Sequence, residues 1–169
     1  EQIKKNLNKN TALLTLSLVT YKSAFLHDMS AVNEMARQAG SLVLWDLSHA
    51  AGALPVNLSK TKADLAVGCT YKYLNGGPGA PAFLYVRKDL QEKMQNPIWS
   101  WFGHAQPFQF EDNFTPAPYI SKFAIGTPAI ISLAAMEPGL DLVLEAGIEN
   151  LRAKSRQQTQ FLWRMISSE

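Results

Sequence analysis

The chain has 169 residues, of which 47% are apolar and 18% charged, and a formal charge of +2. That length supports one hydrophobic core and is short for two domains, and the composition is that of a folded globular chain, not a disordered one. With no Lys/Arg cluster larger than a pair such as Lys4-Lys5 there is no electrostatic footprint for nucleic acid, and one cysteine, Cys69, excludes an internal disulfide framework and fits a reducing, cytoplasmic compartment.

Residues 1–10 are polar, with Ile3 and Leu7 placed to face a core from a short helix. Residues 11–19 form an apolar run broken only by small hydroxyl residues, which predicts a strand buried on both faces; it is far too short to cross a membrane. After a loop over 20–27, Asp28 is an N-cap for a helix over 29–38, in which Val32, Met35 and Ala36 recur on one side and Gly40 ends the element. Residues 41–45 are the next buried strand, leading into Asp46-Leu47-Ser48-His49. Strand, helix, strand at this spacing is a βαβ unit, so the two strands are expected to run parallel.

A connection with Gly52 and Pro55 precedes a third strand over 63–69, and a fourth follows over 80–86. Between them lies Tyr71-Lys72-Tyr73-Leu74-Asn75-Gly76-Gly77-Pro78-Gly79, a lysine flanked by tyrosines and followed by a glycine-rich turn. The segment from Asn96 to Pro118 has no period but holds Trp99, Trp101, Phe102, Phe108, Phe110 and Phe114, the composition of a binding loop. Ile125-Gly126-Thr127-Pro128 is a turn. Residues 131–144 and 148–166 read as two helices, with Pro138 straining the first or starting it afresh. The start lacks an initiator methionine and a signal peptide, and the end stops within a helical pattern, so a segment of a longer protein is expected.

In an open parallel sheet, ligands gather beyond the carboxyl ends of the strands. Ser17, Asp46 with His49, and Tyr71 with Lys72 fall at such ends, and the aromatic loop lies beyond them. Taken singly, each has a plainer reading: a serine bonded to backbone, an aspartate capping a turn, a core histidine, a lysine reaching for water, a packed tryptophan. Their convergence on one edge shifts the balance toward chemistry. The histidines and Cys69 lack metal-ligand spacing, the glycine turn lacks the Gly-Lys-Ser/Thr of a phosphate loop, and no Gly-x-Ser-x-Gly is present. An aspartate and a lysine at neighbouring strand ends suit pyridoxal phosphate (PLP), whose aldehyde a lysine holds as a Schiff base and whose ring nitrogen a carboxylate keeps protonated.

Trp45-Asp46-Leu47-Ser48-His49-Ala50-Ala51-Gly52, the run from Gly68 to Gly79 and Trp101-Phe102-Gly103-His104 together resemble the kynureninase family. The resemblance covers nearly the whole chain and implies an α/β fold, the large domain of the type I PLP-dependent transferases, with a mostly parallel sheet flanked by helices. Residues 1–169 would be part of that one PLP-binding large domain, without the family's N-terminal part and C-terminal small domain. Lys72 would hold the cofactor and then act as the base on the substrate α-carbon. Asp46 would pair with the ring nitrogen, and His49 would lie beside the ring. Ser17, Tyr71, Trp101 and Thr127 match cofactor-contacting positions, with Trp101 and Thr127 serving the partner subunit of a homodimer. Tyr71 would also relay protons, and His104 would be a substrate-side residue.

The implied reaction is hydrolytic Cβ–Cγ cleavage of L-kynurenine, or 3-hydroxykynurenine, to the anthranilate and L-alanine, within tryptophan catabolism and NAD biosynthesis. No metal, nucleic acid or membrane is implied. Two alternatives stand beside it. One is another type I PLP lyase such as a cysteine desulfurase, against which Cys69 counts because it falls in a strand. The other is a non-catalytic segment that retains the fold.

Overall fold

A computed structural model of the chain describes residues 1–167. Four strands, β1 (Leu13–Ser17), β2 (Leu42–Asp46), β3 (Leu65–Cys69) and β4 (Ala82–Val86), form one sheet in the order β1-β2-β3-β4. The first three run parallel and β4 runs antiparallel to β3. The expected βαβ unit is present: α2 (Met29–Ala39) connects β1 to β2. Its start and stop have the anticipated causes. The Asp28 side chain accepts from the Ala31 amide at 3.0 Å, and Gly40 closes the helix in the left-handed region at φ 77°.

Alternation on β2 builds the two faces. Val43 and Trp45 turn toward α2 and pack with Leu18, Val32 and Ala36, while Leu42 and Leu44 pack on the other side with Leu65, Val86 and Leu90. Trp45 is fully buried, and its indole donates to Asn33 Oδ1 at 2.8 Å; the Asn33 amide in turn donates to the Thr61 carbonyl at 2.9 Å. A buried indole N–H without that partner would cost about 1–3 kcal/mol, so Asn33 ties α2, β2 and the β2–β3 connection together.

The expectation that the first strand is buried on both faces is overturned. β1 is an edge strand in this sheet, with Leu13 46% exposed and only Leu14 and Leu16 tucked against the core. An unbroken apolar run is the same string whether its strand ends up central or at an edge.

The remaining elements are α1 (Gln2–Asn6), α3 (Lys88–Gln91), short 3-10 turns at Trp101–Gly103 and Tyr119–Phe123, α4 (Ile130–Ala146) and α5 (Ile148–Ser167). α4 passes through Pro138 without ending, so the proline neither stops the helix nor starts a new one. At the amino-terminal end of β3, Asp64 accepts from the Val43 amide at 3.0 Å and pairs with Arg87, which follows β4. That staple closes the end of the sheet opposite the chemistry-bearing residues. Among the described residues, no helix is long and apolar enough to cross a membrane.

Candidate active site

The strand register sets the site. Ser17 and Asp46 are direct partners across the β1–β2 ladder, and Asp46 is opposite Val67 on β3, so all three carboxyl ends finish on one edge. The Ser17 hydroxyl donates to Asp46 Oδ2 at 3.2 Å. The chain then turns sharply, and the Ser48 amide donates to Asp46 Oδ1 at 2.8 Å, an Asx-type turn. Burial works against the charge on Asp46. Hydrogen bonds from Ser48 and Ser17, together with the nearby His49, outweigh it and hold the carboxyl below its ordinary range. Asp46 is therefore an anion near neutrality, with both oxygens anchored.

His49 sits one residue beyond that turn, half-buried, and its Nε2 lies 3.3 Å from Lys72 Nζ. Lys72 leaves β3 through Thr70, whose buried hydroxyl donates to the Pro81 carbonyl at 2.5 Å and pins the exit of β3 to the entry of β4. The Lys72 ammonium also lies 5.3 Å from the centre of the Tyr71 ring, whose residue is half-exposed. Asn75, at φ 59°, closes the loop with its amide on the Lys72 carbonyl at 3.2 Å. Ser17, Asp46, His49, Tyr71 and Lys72 are thus gathered at one edge from two strand ends and two consecutive connections.

Trp101, His104 and Thr127 are placed elsewhere. Trp101 and His104 line a cleft of about 500 Å³ with Trp99, Phe110, Glu111 and Phe114. Trp101 donates its indole N–H to the Pro107 carbonyl and touches Phe102, Phe108 and Phe110. The His104 side chain is absorbed by its own loop: Nδ1 accepts from the Gln106 amide at 2.9 Å, which assigns the ring proton to Nε2, 3.2 Å from the Asn113 carbonyl. Thr127 is exposed in the turn before α4. Ser48 is the polar contact that the spacing alone could have supplied, through its Asp-x-Ser pattern.

Asp46 and Lys72 fit PLP on the chemistry of the donors. An anchored anion at one strand end suits a protonated ring nitrogen, and a primary amine at the next suits an aldehyde. Metal chemistry has no comparable base, since no group of three or more His, Cys, Asp or Glu side chains could hold an ion among the described residues.

The aminotransferase class-V family profile matches residues 1–169, and the chain belongs to that family. Among its relatives are the kynureninases of Burkholderia mallei (strain SAVP1), 44% identical over 96% of this chain, and of Pseudomonas fluorescens, 40% identical over 98%. The chain spans 39% and 40% of the lengths of those two proteins. Among solved structures, a mutant of C-DES with glycine covalently linked to its PLP cofactor superposes with a TM-score of 0.80 at 20% identity, covering 96% of this chain and 43% of that one. The apo cysteine desulfurase of Thermococcus onnurineus NA1 gives 0.76 at 20%, covering 98% and 40%. At that identity the likeness establishes the fold alone: the class-V aminotransferase, type I PLP fold, here a mixed sheet of four strands with flanking helices.

Proposed function

We propose that this chain is part of the PLP-binding large domain of a kynureninase, and that the complete protein hydrolyses L-kynurenine or its 3-hydroxy derivative to the anthranilate and L-alanine. The observation that carries the reading is the anchored Asp46 anion beside the Lys72–His49 pair, in a chain 40–44% identical to kynureninases. The desulfurase reading has only the fold in its favour. Cys69 lies on β3 with its thiol 3.8 Å from the Ser48 carbonyl, not on a mobile loop where a sulfur-accepting nucleophile is needed.

Net hydrolysis adds water across Cβ–Cγ: the γ-carbon gains the oxygen that makes it a carboxylate, and the β-carbon gains the proton that makes it the alanine methyl group. When bound, PLP supplies the electron sink that makes the α-proton labile and the Cβ–Cγ bond breakable. Asp46 keeps the ring nitrogen protonated, which its depressed proton affinity and two anchoring donors allow without itself taking the proton. Lys72 would hold the cofactor's aldehyde through its amine and would carry the proton from the substrate α-carbon. His49 lies against the lysine and limits where its amine can go. The Tyr71 hydroxyl, on the residue adjoining Lys72, moves a proton at the γ-carbonyl oxygen. Trp101 and Thr127, remote from this cluster, serve a partner subunit's cofactor in a cytoplasmic homodimer, and His104 stands on the substrate side there.

The test uses the full-length protein. Reconstitution with PLP is expected to give a visible absorbance lost in Lys72→Ala, and kynurenine is expected to release fluorescent anthranilate with stoichiometric alanine. Absorbance without anthranilate, accompanied by sulfide or alanine release from cysteine, would replace kynureninase with a C–S lyase or desulfurase.

A further inference from the structure

We propose that Gly139 on α4 is a positioning residue for Lys72, one jaw of a backbone clamp whose other jaw is Gly52. The proposal rests on the reading of Lys72 as the cofactor lysine.

The loop that carries Lys72 is met just beyond the lysine by two separate elements. A Cβ at Gly139 would lie 2.6 Å from the Asn75 carbonyl oxygen and 3.1 Å from the Asn75 Cβ. A Cβ at Gly52 would lie 2.4 Å from the Tyr73 carbonyl oxygen and 2.9 Å from the Leu74 amide nitrogen. Met136, one turn earlier on α4, packs against the same loop, with its Cγ 3.1 Å from where a Cβ of Gly76 would be. Backbone therefore meets backbone at both jaws, where no side chain can rotate away.

Gly52 follows Asp46 and His49 on a continuous turn in which the Ala50 and Ala51 amides bond to the Leu47 carbonyl at 2.8 and 2.9 Å. Its contact fixes the height of the Lys72 loop relative to that turn. Gly139 fixes the loop two residues further on, at Asn75. A glycine inside a helix costs about 1 kcal/mol relative to alanine. Next to Pro138, which already weakens α4, that cost is explained by the close approach to Asn75 and by nothing else in the helix. Unlike Gly52, at φ 82°, Gly139 has no left-handed backbone, so Gly139→Ala changes the contact alone.

The experiment compares full-length wild type, Gly139→Ala, Met136→Ala and Gly40→Ala. Gly40 has open space around it but φ 77°, so its alanine variant loses stability far from Lys72 and controls for that loss. Two readouts are taken: the rate of Lys72 labelling in apo-protein by trinitrobenzenesulfonate across pH, mapped by mass spectrometry, and the pH midpoint of the visible absorbance with PLP. For Gly139→Ala the labelling rate is expected to change at least about threefold and kcat to fall about tenfold or more with KM little altered, as for a reacting group displaced by a fraction of an ångström. Met136→Ala, which adds no bulk and folds wherever the core tolerates a cavity, is expected to shift the same readouts less. Gly40→Ala is expected to lower Tm with both readouts at wild-type values. Labelling and midpoint in Gly139→Ala and Met136→Ala indistinguishable from Gly40→Ala would overturn the clamp. A wild type that labels at Lys72 but never develops the absorbance overturns the cofactor reading instead, and the labelling comparison then decides the clamp by itself.

Discussion

Two regions carry the chemistry-bearing residues, and they are built on opposite principles. At the sheet edge Ser17 bonds to Asp46 and His49 meets Lys72, and the strand register that aligns the two strand ends is a product of the core. In the aromatic loop, Trp101 and His104 are held by their own neighbours, over a cleft that none of the sheet-edge residues lines. Trp99 and Phe110 remain 69% and 78% exposed there, although Trp99 stacks on Phe114 with ring centres 4.9 Å apart. The first region is held together by the strand register and the turns that leave it. The second is an aromatic surface that stays largely exposed among the described residues.

The largest test of this contrast is Lys72→Ala in the full-length protein, expected to remove the visible cofactor absorbance and to lower turnover by about 10³-fold or more; measurable single-turnover anthranilate formation at the wild-type rate would break the assignment. Asp46→Asn is next. It keeps the shape but loses the anion, and kcat is expected to fall on the order of 10²-fold with the protein still folded by circular dichroism. Tyr71→Phe should slow turnover by about tenfold or more and weaken PLP binding less than that, so an unchanged kcat would remove Tyr71 from proton transfer. Trp101→Ala sharpens the comparison from the other side. With the proposed role across subunits, its effect is expected to grow on dilution of the full-length protein, whereas the Asp46→Asn effect should not depend on concentration.

Ser17→Ala has the smallest expected effect and the clearest sign. Asp46 has a depressed proton affinity in the folded state, so its contribution to stability is present above the ordinary aspartate range and is lost as pH falls through the lower folded value. Removing the Ser17 donor raises that folded value, so acid unfolding followed by fluorescence should begin at a higher pH than in wild type.

How much of this was readable in advance differs residue by residue. Asp46 and Lys72 were legible because a polar residue ending an apolar run marks a strand terminus, and parallel strands put their termini together. The α2 caps were legible because Asp28 and Gly40 act locally. The half-exposed state of β1 was not, since a strand's neighbours are set by topology and leave no trace in its own residues. Nor was the reach of the antiparallel β4, although twelve residues between β3 and β4 leave no room for a crossover helix. Gly139 was illegible for a different reason: a glycine in a helix reads as a defect until the backbone it must clear is known.

The strand order has a consequence for synthesis. Because β1, β2, β3 and β4 neighbour one another in the order in which they are made, each of β2, β3 and β4 leaving the ribosome meets an edge that already exists. Ser17, Asp46, His49 and Lys72 are assembled in the same sequence. α4 follows, a few seconds behind the lysine loop at ordinary elongation rates of about 5–20 residues per second. On the clamp proposed above, the nascent chain holds an unclasped lysine loop for that interval, until α4 packs against it.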